Sequence, residues 1–295
     1  MTESLINSGK PGCVTRRHGF LYQLPGVLRL ALVSLVALGF ATPILLLLLS
    51  SFKGGAEFSQ VPPTYLPHHP TLDNYTALAV ANMGRFVLNS LTATVIAVVL
   101  TVGVSVMAGY GFARFRFRGQ GFLLVLVLAT LMIPFQSIIP ALYSVMDAVG
   151  LTNSLVGLGL LYTVFSLPFG VMAMRVAFAA IPDALEEAAI VDGLTPGSIL
   201  VRVMVPLTVP SIATVALYAF FNSWNEFLAA LIFTTKQRLF TLPVALANLQ
   251  SGAMGTLNWG VLETGALVSA VPCIAIFLIL QRYYVAGLVS GAVKE

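Results

Sequence analysis

Two groups of polar residues in this sequence have types and spacing that could do chemistry. The first is the acidic stretch E-E-A-A-I-V-D-G, residues 186–193. The second comprises Asn222, Asn225 and Glu226, which fall within about 100° of one face of a helix. Amides and carboxylates hydrogen-bond hydroxyl groups, so the second group could contact a polar solute. The first group could pair with a basic partner.

The rest of the chain is strongly apolar. Of its 295 residues, 58% are hydrophobic and 9% are charged, and the mean hydropathy is +0.94. A soluble globular protein is about half apolar and about a quarter charged. The composition therefore predicts a membrane protein.

Six apolar stretches are long enough to cross a bilayer, because about 30 Å of hydrocarbon requires roughly 20 helical residues. The alternating pattern of a membrane barrel is absent, and small residues within the stretches favour closely packed helices. We predict an all-α polytopic membrane protein with six transmembrane helices. The predicted spans are residues 27–50, 86–112, 122–143, 155–178, 207–233 and 262–284.

The basic residues predict the orientation. Eleven of the fifteen Lys and Arg residues flank the predicted spans on one side, which the positive-inside rule makes cytoplasmic. Both termini and the acidic stretch are then cytoplasmic, and the basic charge needs no nucleic acid partner. The other four cations, predicted to be external, are Lys53, Arg85, Lys236 and Arg238.

The acidic stretch has the signals of a short helix. Pro182 suits its first position, acidic residues complement its positive end, and Gly193 suits its stop. A second helix is predicted from Thr195, a good N-cap, with Pro196 in its first turn.

The predicted short helix has a face of small residues, formed by Ala184, Ala188 and Val191 at spacings of four and three. A helix of this length is unstable alone, and its small face fits insertion into the groove of a partner. The alternative is an interfacial helix whose acids are merely solvated.

The run E-A-A-I-V-D-G, residues 187–193, is followed thirteen residues after Gly193 by Pro206. This pattern resembles the EAA loop of permease subunits of binding-protein-dependent ABC importers. Leu200 and Val205 depart from it, at positions where an aromatic and Leu are usual. The segments L-P-F-G-V (167–171) and S-W-N-E-F (223–227) and the C-terminal tail are similar to the second permease of the maltose-type carbohydrate uptake class. The resemblance covers about residue 70 to the end.

The resemblance implies a cytoplasmic coupling helix that docks on an ATPase subunit. The implied partners are a second permease subunit in a heterodimer, two ATPase subunits, an extracytoplasmic sugar-binding protein and the lipid membrane. The tail from Gly287 to Glu295 is implied to reach between the ATPase subunits; a frayed tail is the alternative. The coupling residues implied are Glu187, Ala188, Ala189, Asp192, Gly193 and Pro206. Glu186 precedes the motif and is expected to tolerate substitution better than Glu187.

The chain lacks the nucleotide-binding pattern G-x-x-x-x-G-K-[ST]. We therefore expect no catalytic residue, no metal site and no cofactor on this chain, with ATP and Mg bound by the partner ATPase subunits. The adjacent His68 and His69 are interpreted as loop residues, because no other ligand joins them.

The substrate pathway is predicted from intramembrane polar residues, which normally face a cavity or a partner. Asn222, Asn225 and Glu226 are the first candidates, with Trp224 or Phe221 near enough in sequence to help. Because the resembling family carries the W-N-E-F run whatever its substrate, a gate or subunit contact is the other interpretation. Gln136 and Gln281 are weaker candidates for the same cavity.

Two other classes of function compete with the importer permease. A secondary transporter for a small polar solute would need a buried ionisable relay, and no inverted repeat is visible. An intramembrane hydrolase would need a nucleophile or a metal set, and the predicted spans offer neither. Copurified ATPase subunits would favour the importer over both.

The predicted localisation is the bacterial cytoplasmic (inner) membrane. The predicted organisation has an N-terminal tail (1–25), a first transmembrane helix with an external loop (26–85), an importer transmembrane domain (86–288) with its EAA loop near 182–206, and a C-terminal tail (289–295).

Overall fold

The computed structural model describes residues 26–252 and 258–292. Most of these residues lie in helices. The predicted N-terminal tail lies outside the described residues, as do the last three residues of the predicted C-terminal tail. In chain order the helices are α1 (Gly26–Ser50), α2 (Asp73–Val80), α3 (Met83–Arg114), α4 (Gln120–Ala129), α5 (Phe135–Ala148), α6 (Leu155–Ala179), α7 (Asp183–Val191), α8 (Pro196–Ile199), α9 (Val205–Leu207), α10 (Val209–Trp224), α11 (Leu228–Phe233), α12 (Leu242–Gln250) and α13 (Trp259–Ala292).

The chain divides into two units at Leu46. The first unit contains most of α1, which has no buried residue and exposes its leucines and valines, as expected for a helix in lipid. The second unit begins at Leu47 and contains the remaining helices and all the candidate site residues.

Four of the described helices, α1, α3, α6 and α13, are long and apolar enough to cross a bilayer alone. Two further spans arise if each of two bent helix pairs counts as one, which gives the six predicted spans. The third and fifth predicted spans are interrupted in the structure and are not single continuous helices.

The third predicted span breaks at Pro134. A 3₁₀ turn follows α4, Ile133 takes an extended conformation (φ −84°, ψ 118°), and the two halves meet at 110°. The residue before a proline is disfavoured in the α conformation, and the proline itself has no N–H to donate. Neither half is long enough to cross the membrane alone.

The fifth predicted span is interrupted at two positions, before and after α10. A π turn (Leu200–Met204) and α9 precede an 81° bend at Thr208, where α10 begins. The side chain of Thr208 donates to Met204 O at 3.0 Å and so stabilises the bend. At the other end, α10 stops at Trp224 and α11 starts only at Leu228.

Glycines bring α3 and α6 into close contact. A β-carbon at Gly159 would lie 2.7 Å from Cγ2 of Ile96, and one at Gly109 would lie 2.5 Å from Cβ of Met174. Side chains larger than hydrogen therefore do not fit at these two positions, and the two backbones pack closely, as small residues allow in membranes.

The predicted external loop after α1 is folded rather than extended. The Glu57 carboxylate accepts the backbone N–H groups of His68 and His69, each at 3.2 Å. Burial raises the pKa of Glu57, but the hydrogen bonds from His68 and His69 together lower it by more. The pKa of this carboxyl group therefore lies below its ordinary value. The buried Asn74 side chain donates to Ser51 O and Lys53 O and closes the loop onto α2.

Candidate functional site

The predicted short helix is α7, and its end has the geometry that the sequence indicates. Gly193 has φ +80°, a left-handed conformation that glycine adopts without steric cost. Its N–H donates to Ile190 O at 2.9 Å, and the N–H of Leu194 donates to Ala189 O at 3.1 Å. These two bonds form a Schellman stop. The chain then enters α8 at Pro196.

The two alanines of the motif differ in exposure. Ala189 is 6% exposed and packs in a cluster with Tyr110, Met174 and Phe178, so it fixes α7 to its own chain. Ala188 is exposed. The small face predicted for a partner is thus open, and it carries the carboxylate at its edge. We call Ala184, Glu187, Ala188 and Val191, all exposed, the coupling face.

The two adjacent glutamates differ in the same way. Among the residues that the structure describes, Glu187 forms no ion pair and is exposed. Glu186 accepts a hydrogen bond from Tyr110 Oη at 2.7 Å and lies 3.3 Å from Arg114 Nε as an ion pair. These contacts argue against the expectation that Glu186 tolerates substitution better, because its carboxylate holds α7 to α3.

The remaining predicted coupling residues lie around this helix. Asp192 is the exposed C-cap residue of α7. Pro206 is exposed within α9, two residues before the bend at Thr208. The chain therefore changes direction just after Pro206.

The predicted pathway residues come together only in part. A cavity of about 240 Å³ between α6 and α10 contains Asn222 and Glu226. Asn225 and Glu226 lie beyond the end of α10, so the prediction that all three share one helix face is wrong. The lining residues are Tyr162, Phe165, Ser166, Tyr218, Asn222 and Glu226.

Glu226 has a defined structural role beside this cavity. Its carboxylate accepts the N–H groups of Ala229 at 2.8 Å and Ala230 at 3.1 Å, and a hydrogen bond from Tyr162 Oη at 3.3 Å. The first two bonds cap the start of α11, where a carboxylate also complements the positive end of the helix. Glu226 therefore holds the break after α10 and joins it to α6.

The other predicted candidates lie elsewhere. Asn225 donates to Phe221 O at 3.0 Å, and neither Asn225, Gln136 nor Gln281 lines this cavity. Trp224 is 1% exposed, donates to Ser269 O of α13 at 3.1 Å and stacks on the neighbouring Phe220, so it is a core residue.

Sequence analysis missed three polar residues of the cavity. Tyr162 and Ser166 are contributed by α6, and Tyr218 by α10, where its ring stacks on Phe169 with centroids 4.0 Å apart. The buried hydroxyl of Ser166 has no hydrogen-bond partner among the described residues. Hydroxyls and aromatic rings suit a polar ligand with an apolar face, but tyrosines within apolar helices give no distinguishing signal in the sequence.

The chain is similar to known proteins over most of its length. Residues 101–289 match the sequence profile of the family described as binding-protein-dependent transport system inner membrane component. The sulfoquinovosyl glycerol transport system permease protein SmoH of Agrobacterium fabrum is 35% identical, over 90% of this chain and 93% of the relative. The diacetylchitobiose uptake system permease protein DasC of Streptomyces coelicolor is 33% identical, over 87% and 93% respectively.

A solved structure has the same fold. A chain from a bacterial ABC transporter involved in the import of the acidic polysaccharide alginate superposes with a TM-score of 0.74 at 23% identity. The superposition covers 88% of this chain and 96% of the solved one.

Proposed function

The chain belongs to the family of inner membrane components of binding-protein-dependent transport systems, and we propose that it forms half of the translocation pathway of an ABC importer for a carbohydrate. Such a subunit must receive work from a separate ATPase and must contribute to a path for a polar solute. The coupling face and the cavity between α6 and α10 are the two regions that suit these tasks.

The coupling face carries the proposal. Ala184, Ala188 and Val191 leave room for close approach, while Glu187 offers an exposed carboxylate that forms no ion pair with the residues that the structure describes. A partner with a groove and a cation complements both features. We propose that this partner is one of two ATPase subunits, which bind the ATP and Mg, and that a second permease and an extracytoplasmic binding protein complete the complex.

A carbohydrate substrate is supported by the relatives and by the cavity. SmoH and DasC are named for sugar-containing solutes, and both match about nine-tenths of this chain. The cavity is lined by the exposed amide of Asn222 and the half-buried Tyr218, whose polar groups can hydrogen-bond a sugar hydroxyl.

The proposed orientation places α7 in the cytoplasm. Arg116 and Arg175 line one cavity together with residues of α7, so basic residues and the coupling helix share an end of the second unit. The external cations Arg85 and Arg238 line a different cavity. This distribution supports the positive-inside orientation, with both termini cytoplasmic.

Deletion of the chain in its host tests the proposal. We expect growth or uptake to fail on at least one carbohydrate of a broad panel and to return when the chain is supplied in trans. The tagged chain purified alone should not hydrolyse ATP, whereas the complex with a second permease and two ATPase subunits should. Unchanged uptake of every carbohydrate together with no copurified ATPase would contradict the proposal.

A further inference from the structure

Arg114, the last residue of α3, lies where three helix ends meet. Its side chain is 7% exposed although it stands at the end of a membrane-spanning helix. Nη2 donates to Phe178 O in the last turn of α6 at 2.9 Å and to Ile181 O, in the connection between α6 and α7, at 2.6 Å. Nη1 contacts the Asp183 carboxylate at the start of α7.

These contacts place a positive charge at two helix ends. Phe178 O already accepts the N–H of Ile181 at 3.2 Å, and the guanidinium adds a further hydrogen bond to it and complements the partial negative charge at the end of α6. Asp183 and Glu186 lie in the first turn of α7, where acids suit the positive helix end. A single buried cation therefore meets favourable charge on α6 and on α7.

Tyr110 adds a second connection from the turn of α3 that precedes Arg114. Its hydroxyl donates to Glu186 at 2.7 Å, and its ring contacts Phe178 edge-on with centroids 5.6 Å apart. We call Tyr110, Arg114, Asp183 and Glu186 the Arg114 cluster. Glu186 lies on the side of α7 away from the coupling face, whereas Asp183 lies at the start of the helix, one turn before Glu187.

We infer that Arg114 is a positioning residue that makes α7 move as one body with the cytoplasmic ends of α3 and α6. Displacement of the coupling face by a closing ATPase then moves the helix ends directly, rather than rotating α7 in place. This inference rests on the proposed function for the identity of the partner. The contacts of the Arg114 cluster are formed within this chain and do not depend on the proposed function.

Packing is the competing explanation for a rigid attachment, because Ala189 also fixes α7 through the apolar cluster with Met174 and Phe178. The two explanations differ in what Arg114 removal does. If packing suffices, loss of the guanidinium leaves α7 in place during ATPase closure. If Arg114 is required, α7 moves relative to α3.

Distance measurements between paired spin labels decide between them. In a background with Cys13→Ser and Cys273→Ser, one label is placed at Met107→Cys on α3 and one at Leu185→Cys on α7. Both positions are exposed, and neither belongs to the coupling face or to the Arg114 cluster. Distances are recorded in the assembled complex without nucleotide and after trapping with Mg-ATP and vanadate.

With Arg114 present, we expect one narrow distance distribution that trapping does not shift. Arg114→Ala should widen the distribution, and trapping should shift its mean. Arg114→Lys should restore part of the rigidity, because one ammonium replaces only some of the bonds of a guanidinium. Arg118→Ala, an exposed arginine four residues further on, is the matched control and should behave like the parent.

An Arg114→Ala chain that matches the parent in both states would overturn the inference. If the parent chain binds no ATPase subunits, the proposed function fails instead. The same label pair in the isolated full chain then still tests the Arg114 cluster: Arg114→Ala must widen the distribution relative to Arg118→Ala, and equal widths would overturn the inference.

Discussion

The carboxylates of α7 and the carboxylate beside the cavity differ in the partners that their own chain gives them. On α7, two acids are bound by their own chain through Arg114, and a third, Glu187, is exposed without an ion pair among the described residues. At the cavity, Glu226 is held by two backbone N–H groups and a tyrosine of its own chain.

This difference separates residues that build the site from residues offered to a partner. An acid that closes internal hydrogen bonds is expensive to remove whatever binds outside, whereas an exposed acid matters only when its partner is present. We therefore propose Glu187 as the acid that meets the ATPase. Glu186 and Glu226 are assigned to the shape of this chain.

Reversing the charge of Glu187 should have the largest effect on assembly. If its carboxylate meets a cation in a desolvated ATPase cleft, removal of one partner costs about 2 to 5 kcal/mol at the interface. We expect Glu187→Lys to release the ATPase or to uncouple hydrolysis from transport, with unchanged thermal stability of the isolated chain. Copurification and melting of the same preparations measure both.

Glu186→Lys is the matched comparison one residue away. It places a cation beside Arg114 and should destabilise the isolated chain, which Glu187→Lys should not. If both changes have equal, mild effects on copurification, the acids of α7 are merely solvated and the coupling role fails.

Replacement of Gly193 should have the next largest effect, now on the position of the coupling helix. A side chain in the left-handed conformation costs about 1 to 2 kcal/mol, and a β-branched one is the least suitable. We expect Gly193→Val to loosen the end of α7 and to lower ATPase binding, as seen by hydrogen exchange and copurification. Gly197→Ala is the control, because Gly197 has no positive φ and a β-carbon there would meet no atom within 4 Å. Equal effects of the two substitutions would show that the left-handed conformation of Gly193 does not position α7.

The outline of this region could be predicted from sequence, because turn chemistry is local. Gly193 and Pro196 mark the stop of α7 and the start of α8 without tertiary information. The difference in exposure between Ala188 and Ala189 could not be predicted, because the two side chains are the same. Only the folded structure shows which of them packs against α3 and α6. The role of Arg114 depends on helix ends far apart in sequence.

Loss of the Glu226 cap should have a smaller effect than loss of Gly193. Removing a capping acceptor costs about 0.5 to 2 kcal/mol, typically about 1. We expect Glu226→Leu to lower the melting temperature and Glu226→Gln, which keeps an acceptor oxygen, to lower it less. Equal losses, or none, would show that the bonds to Ala229 and Ala230 do not hold the start of α11.

The smallest changes in stability are expected at the two asparagines. Substitution of an exposed residue away from core contacts usually changes the free energy of unfolding by less than about 0.5 kcal/mol. Asn222→Leu should nevertheless reduce carbohydrate-dependent growth of a complemented deletion strain, because Asn222 lines the cavity, while Asn225→Leu should not. The reverse order of the two growth defects would move the pathway away from this cavity.

The cavity was less predictable than the coupling helix for a physical reason. The break after Trp224 contains neither Pro nor Gly, so no helix-breaking residue marks the point where the helix stops. The break at Ile133–Pro134 does have a local signal, but length and hydropathy favour one continuous span there. Tyr162 and Tyr218 cannot be distinguished in the sequence from tyrosines of the core. Only the cavity between α6 and α10 identifies them as lining residues.

Photo-crosslinking from the coupling face tests whether α7 contacts an ATPase subunit. A photoreactive amino acid at Val191, which is 86% exposed, is compared with the same group at Arg118, exposed at the same end of the molecule. In native membranes, we predict that Val191 gives an adduct containing an ATPase subunit and that Arg118 does not. An ATPase that copurifies with the chain but never crosslinks to Val191, or crosslinks equally to both positions, would contradict the assignment of α7 as the coupling helix.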